Sequence, residues 1–174
     1  MIEWFSKNAA FNGTREIAVS MINKIKKFIP GSILPALNLV DEFGVTVDYE
    51  RFFGKYLIIT FGSSDSWQTI SEYSVIRSWY KDLSKDVEVL TILTDPDFRP
   101  GLKKLRDLDF DWVIADGSTE RYLLREYEVR YQPAFYILNR AGEVLTAPSP
   151  FPSENLRKLL LDNIRNDLIN DIRN

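Results

Sequence analysis

Hydroxyl and carboxyl side chains follow a short apolar stretch near the middle of the chain. Residues 56–61 are mostly β-branched, aromatic or otherwise apolar and have the length of a buried strand. Residues 62–66 read Gly-Ser-Ser-Asp-Ser, a polar loop that can cap a helix beginning at Trp67. A helix N-terminus offers unpaired N–H groups and the positive end of the helix dipole, which lower the pKa of a thiol or hold an anion. This strand, loop and helix start form the candidate site.

The chain contains neither cysteine nor histidine. This excludes disulfides, thiolate nucleophiles and thiolate metal sites, and it removes the usual general base. A serine nucleophile would need a carboxylate base, and the nearest in sequence are Asp65 and Glu72. Adjacent residues on a helix do not face each other, so an Asp65–Ser66 pair has poor geometry. We therefore predict that Ser64, Asp65 or Ser66 is simply a helix N-cap, worth about 1 kcal/mol.

Other chemistry at this loop stays open. One possibility is an anion held by the helix N–H groups together with the hydroxyls of Ser63, Ser64, Ser66 and Thr69. Another is a hydrolase-like enzyme that uses hydroxyl and carboxylate groups at the same cleft. A metal site is not expected, because the aspartates downstream match no Ca²⁺ loop and are predicted to be solvated charges. These aspartates are Asp95, Asp97, Asp107, Asp109 and Asp111.

Size and charge narrow the class of protein. A chain of 174 residues with 45% hydrophobic content suits one well-packed domain. The net charge of −3 and a pI near 5.1 give no electrostatic footprint for nucleic acid or for an anionic membrane surface. The sequence has no apolar run of about 18 residues and no signal-peptide pattern, so we predict no membrane span.

Alternating strand and helix patterns predict a largely parallel sheet. An amphipathic helix is expected over residues 14–29, with Thr14 as its N-cap, followed by a small hairpin in residues 33–47. Trp67 begins a helix of about 18 residues. Further strands are predicted at residues 87–94 and 112–115, and further helices near residues 100–108 and 119–126.

A last helix follows, with Ser153 as its predicted cap. Its apolar face is predicted to consist of Leu156, Leu159, Leu160, Ile164, Leu168 and Ile172. Before it, the aromatic residues Tyr131, Phe135 and Tyr136 are expected in the core of a strand.

Residues 54–69 resemble the active-site segment of the TlpA-like thiol–disulfide oxidoreductases, members of the thioredoxin superfamily related to the AhpC/TSA peroxiredoxins. The pattern in those proteins is roughly Gly-Lys, an apolar strand, Phe-Trp-Ala-Thr-Trp and then Cys-x-x-Cys. On this pattern Phe61 matches the Phe, Ser66 falls on the first Cys and Thr69 falls on the second. Glu72 matches an acidic residue that these proteins often carry. With Asp rather than Trp at position 65 and Thr at 69, we interpret the missing cysteines as natural divergence rather than engineering.

Residues 127–144 resemble a second signature of the superfamily: a Tyr-x-Val segment, a Pro that starts an apolar strand, and a polar turn with Gly. Pro133 falls on the position that is cis in thioredoxin folds, and an X–Pro bond adopts the cis form at a cost of only about 0.5–1 kcal/mol. The hairpin at residues 33–47 also resembles the opening of TlpA-like proteins. The resemblance covers about residues 33–165, with three segments in the expected order.

The resemblance implies a thioredoxin-like α/β fold: a central mixed β-sheet of about five strands flanked by helices, with an N-terminal β-hairpin and an extra N-terminal helix. It divides the chain into an N-terminal helix or linker, residues 1–29, and a thioredoxin-like domain, residues 30–174. It also implies a bacterial protein that works in the cell envelope or periplasm. A separate expectation is that the chain is the C-terminal domain of a longer protein.

For function, we predict a redox-inactive binding or structural module, because thiol–disulfide exchange needs a thiolate. The alternative is the hydrolase-like enzyme. By resemblance, the groove between the helix start and the Pro133 loop would take an extended peptide or partner protein. The candidate groove residues are Trp67, Gln68, Glu72, Gln132 and Pro133. No cofactor, metal or nucleic acid is expected.

Overall fold

A computed structural model describes residues 16–17, 19–20, 22 and 26–173 of the chain. Two short strands form the hairpin: β1, Leu39–Val40, and β2, Thr46–Val47. The other strands are β3, Tyr56–Gly62; β4, Val87–Leu93; β5, Val113–Asp116; β6, Ala134–Leu138; and β7, Val144–Thr146. The helices bounded within the described residues are α1, Trp67–Leu83; α2, Phe98–Asp107; α3, Arg121–Glu126; and α4, Arg157–Arg173.

Strand β3 lies at the centre of a five-stranded mixed sheet whose order is β5-β4-β3-β6-β7. It runs parallel to β4, with Gly62 opposite Leu93, and antiparallel to β6, with Phe61 opposite Ala134. All seven residues of β3 are buried, as expected for an apolar run covered on both faces. The predicted architecture of a mixed sheet flanked by helices, with an N-terminal hairpin, is confirmed.

The side chains of β3 alternate between two cores. Ile58 packs on one face with α1, α2 and α4, through residues such as Ile76 and Leu160. Ile59 packs on the opposite face, where the hairpin and α3 contribute residues such as Leu39. The sheet is therefore the middle layer of a three-layer sandwich.

The N-terminal segment agrees only in part with its predicted amphipathic helix. The described residues up to Lys26 are helical, but residues 27–29 form a turn, and Thr14 lies outside the described residues. Ile17, an apolar residue of this segment, is exposed. Phe28 packs against Tyr136 with ring centroids 6.0 Å apart, so the end of this segment lies on the α3 side of the sheet.

The C-terminal segment differs from its prediction in two ways. A π-type turn over Pro152–Leu156 precedes α4, and Ser153 lies inside that turn, so its predicted role as a helix cap is wrong. The apolar face is buried at Leu160 and Ile164, but Ile172 is 86% exposed. Within the described part of the chain, none of the helices combines the length and apolar character needed to cross a bilayer.

Candidate functional site

The loop after β3 ends in a capped helix start. Ser66 has an extended backbone (φ −86°, ψ 117°), and its Oγ accepts a hydrogen bond from the Thr69 N–H at 3.3 Å. The prediction that a residue of this loop caps α1 is confirmed, and the cap is Ser66. Immediately after it, the side chain of Trp67 is 81% exposed. Gln68 is exposed as well.

Thr69 faces inward. It is fully buried, and its Oγ1 has no hydrogen-bond partner among the described residues. A Cβ added to Gly62 would lie 2.7 Å from Thr69 Cγ2 and 2.6 Å from Tyr73 Oη, so the first turn of α1 is pressed against the end of β3. The two positions that correspond to the missing cysteines thus differ: Ser66 lies at the surface of the loop, and Thr69 lies beneath it.

Asp95, which follows β4, is part of this site. It is 4% exposed, and its carboxylate accepts the Ser64 N–H at 2.8 Å and the Ser64 hydroxyl at 2.7 Å. The prediction that Asp95 is a solvated charge is therefore wrong. The one sequence signal for this contact was topological, because the carboxyl ends of parallel neighbours such as β3 and β4 meet at the same edge of the sheet.

Helix α2 supports the same loop. A Cβ at Gly101 would lie 2.9 Å from Asp95 Cγ, which shows how closely the helix approaches the carboxylate. Further along α2, Lys104 forms an exposed ion pair with Asp65. The hydrogen bond that Lys104 donates to the Asp65 carboxylate raises the pKa of Lys104. No motif in the sequence pointed to a role for α2 at the site.

Glu72 points away from Ser66. It is buried, and its two carboxylate oxygens accept the hydroxyl and the backbone N–H of Ser153, at 2.7 and 2.9 Å. Glu72 is one of the five predicted groove residues, but its carboxylate binds the C-terminal segment inside the fold.

The loop before β6 lies at the same end of the sheet as the start of α1. The Gln132–Pro133 peptide bond is cis, and Pro133 is buried. Gln132 Oε1 accepts a hydrogen bond from Thr94 Oγ1 at 2.8 Å, while the Thr94 N–H donates to the carbonyl of Gly62 at 3.0 Å. Tyr131 is 84% exposed, so its predicted place in a strand core is wrong, whereas Phe135 and Tyr136 are buried as predicted.

This arrangement limits the chemistry that the site offers. The two nearby buried carboxylates, Glu72 and Asp95, are each bound by a serine other than Ser66, so neither is placed as its base. Burial raises the pKa of Tyr73 to about 12, so its hydroxyl stays protonated at neutral pH. The described residues contain no group of acidic side chains suited to a metal ion.

The anion hypothesis loses support from the same contacts. The Ser64 hydroxyl, which was expected to contact an anion, already donates a hydrogen bond to the carboxylate of Asp95, as does the Ser64 N–H. Thr69, the fourth expected hydroxyl, is buried. A negative charge beside the loop also opposes the entry of a second one.

A cleft of about 430 Å³ lies elsewhere, beside the hairpin. Its arginines are paired with acids of the hairpin turn, Arg51 with Asp41 and Arg106 with Glu42. Both arginines of this cleft are thus paired within the protein, and we assign it no function.

No protein-family model and no curated protein matches the chain. Several solved structures do match the chain. The thioredoxin domain of a thiol–disulfide oxidoreductase from Bacteroides vulgatus is 18% identical, with a TM-score of 0.65; the match covers 76% of this chain and 98% of that one. A thiol–disulfide oxidoreductase from Bacteroides fragilis is 20% identical, with a TM-score of 0.64, over 74% of this chain and 100% of that one.

A third structure, from Chlorobium tepidum, is described as a thiol:disulfide interchange protein, DsbE. It is 19% identical, with a TM-score of 0.67, and the match covers 78% of this chain and 97% of that one. At such identities the likeness concerns the fold. The chain therefore has the thioredoxin-like fold found in thiol–disulfide oxidoreductases, and it has this fold without a single cysteine.

Proposed function

We propose that this protein is a redox-inactive, thioredoxin-like binding module that takes an extended segment of a partner protein at the groove between the start of α1 and the Pro133 loop. The observation that carries the proposal is the exposure of two large aromatic side chains there, Trp67 at 81% and Tyr131 at 84%. Exposed Trp and Tyr are the residue types that most often dominate binding energies. The groove residues are Trp67, Gln68, Gln132 and Pro133, with Tyr131 at the rim.

The backbone around the groove is well fixed. Ser66 is committed to capping α1, and the Gln132 side chain is bound to Thr94 just after β4, so a hydrogen bond holds a residue in each wall. Fixed walls reduce the entropy lost when an extended peptide binds. The hydrolase-like alternative has no comparable support, because no described carboxylate is hydrogen-bonded to the Ser66 hydroxyl.

The same proposal covers the location and setting of the protein. TlpA-like proteins work outside the bacterial cytoplasm, so we infer that this domain works in the cell envelope, joined to or associated with further domains.

The test is a screen of the purified chain against an array of extended heptapeptides of varied sequence. The affinities of the best peptides are then measured by fluorescence anisotropy. We expect Trp67→Ala and Tyr131→Ala each to weaken binding at least tenfold, about 1.4 kcal/mol, as for aromatic residues central to an interface. Phe43→Ala is the matched control, because Phe43 is equally exposed but lies on the hairpin, away from the groove.

Two results would overturn the proposal. One is a wild-type chain that binds none of the peptides. The other is an equal loss of affinity in the Phe43→Ala control, which would indicate nonspecific attraction between aromatic surfaces and peptides.

A further inference from the structure

The loop that presents Trp67 has weak contacts of its own. Within it, Ser66 N–H donates to the carbonyl of Ser63 at 3.2 Å, and Asp65 N–H donates to Ser63 Oγ at 3.2 Å. The Lys104–Asp65 ion pair is largely exposed, and such pairs contribute little to stability. Apart from the Ser66 cap on Thr69, the loop is therefore held mainly by contacts with other elements of the fold.

The Asp95 carboxylate provides such a contact. Its hydrogen bonds to Ser64, at 2.7 and 2.8 Å, are shorter than those within the loop and are made by an ionisable acceptor. Charge-assisted hydrogen bonds of this kind are about twice as strong as neutral ones. Both partners are shielded from water, since Ser64 and Asp95 are each buried.

Asp95 is itself held in place from two sides. The preceding residue, Thr94, donates its N–H to Gly62 at the end of β3. On the other side α2 packs against the carboxylate at Gly101, where a side chain would leave no room. The carboxylate is thus a rigid part of the scaffold, and the loop is bound to it.

We infer that Asp95 is a positioning residue: through Ser64 it fixes the loop at residues 63–66 so that Trp67 is held ready for the partner. The inference rests on the proposed function for its biological meaning. The fixing of the loop is a property of the free protein and is tested without any peptide.

The experiment compares amide hydrogen exchange in the wild type, Asp95→Asn and Ser64→Ala, with Asp97→Asn as the matched control. Asp97 is exposed and its side chain makes no cap hydrogen bond, so its exchange pattern should equal that of the wild type. Asn at 95 presents one acceptor to two donors, so exchange at residues 64–67 should rise roughly tenfold or more. Ser64→Ala keeps the N–H contact and should show a smaller rise.

A residue that only stabilises the fold would give a different pattern. In that case exchange in Asp95→Asn would rise equally in β4 and α4, and this result would overturn the inference, as would unchanged exchange at residues 64–67. A second measurement uses the best peptide from the array, whose affinity should fall in Asp95→Asn while Asp97→Asn binds normally. If no peptide binds the wild type, the proposed function fails, but the exchange data still decide the role of Asp95.

Discussion

Glu72 and Ser153 are joined by two hydrogen bonds, although 81 residues separate them in the chain. Glu72 lies in the second turn of α1, and Ser153 lies in the π-type turn that leads into α4. The carboxylate therefore satisfies a backbone N–H at the start of the C-terminal helical segment, a task for which helices normally use a residue of their own. One acidic side chain thereby connects the helix of the candidate site to the end of the fold.

We predict that Glu72→Gln lowers the free energy of unfolding by about 1–3 kcal/mol. The glutamine amide has one acceptor oxygen for the two donors of Ser153, its N–H and its hydroxyl. The NH₂ group of the amide then faces one of these donors. Urea unfolding measures the loss. Asp82→Asn, an exposed acid on the same helix, is the control and should stay within about 0.5 kcal/mol of the wild type. An equal change in both variants would show that the effect is general to charges on α1.

The fold was predictable from the sequence because its signals are local. The apolar run that became β3 and the cap at Ser66 depend on residues adjacent in the chain. The local pattern failed to predict burial where a side chain is buried only by partners that are distant in the sequence. Ile172 continues the helical apolar period of α4, but the described part of the fold does not bury it, so periodicity predicted the helix and overestimated its buried face.

The candidate site was predictable only in part, for the same reason. Two features depend only on neighbouring residues, the cap at Ser66 and the proline at position 133, and both agree with the motifs. Asp95 and Ser153 were misjudged because each binds a residue far away in sequence. No window of sequence shows that Gly101 lets α2 approach the Asp95 carboxylate, or that an acid on α1 reaches the turn before α4.

Two buried threonines should respond in opposite ways to the same substitution. Thr69 Oγ1 has no described partner, whereas Thr60 Oγ1 lies 3.1 Å from the hydroxyl of Tyr73. Valine keeps the shape and removes the hydroxyl. We expect Thr69→Val to be neutral or to stabilise the fold by up to about 1 kcal/mol, because an unpaired buried hydroxyl is costly. Thr60→Val should destabilise it by about 1–2 kcal/mol, because it removes a buried hydrogen bond to the Tyr73 hydroxyl.

Urea midpoints of the two single variants test this pair directly. Each threonine is the other's control, since both are fully buried. A loss of stability at Thr69 as large as that at Thr60 would mean that the Thr69 hydroxyl is hydrogen-bonded after all.

Asp41 should make stability depend on pH in the acidic range. Burial alone would raise the pKa of its carboxyl, but hydrogen bonds from Arg51 and from the N–H groups of Val45 and Phe43 outweigh burial and lower the pKa below its ordinary value. A lowered pKa means that the contribution to stability is complete above about pH 4 and is lost as the pH falls through the pKa of the folded state.

The comparison is with Asp41→Asn, in urea unfolding at several pH values between about 7 and 3. We expect the variant to be less stable by about 1–3 kcal/mol at neutral pH and the gap to narrow below about pH 4. A gap that stays constant down to pH 3 would contradict the assignment of a charged, hydrogen-bonded carboxylate.

Restoring two thiols tests whether the scaffold is intact although its redox chemistry is gone. The parent chain should not accelerate insulin reduction by dithiothreitol, because it has no cysteine to form a mixed disulfide. In Ser66→Cys/Thr69→Cys, the first thiol replaces the N-cap of α1, where the helix N-terminus lowers a thiol pKa. The second lies three residues on, within reach of the first on the same helix face. We expect the double variant to be active.

The single variants Ser66→Cys and Thr69→Cys are the controls, since one thiol cannot complete a dithiol cycle. Activity in the parent would refute the redox-inactive interpretation outright. A folded but inactive double variant would show instead that the loop held by Asp95 has moved away from the geometry of an oxidoreductase. The site would then be specialised for binding alone, because substituting two side chains would no longer be enough to restore the chemistry.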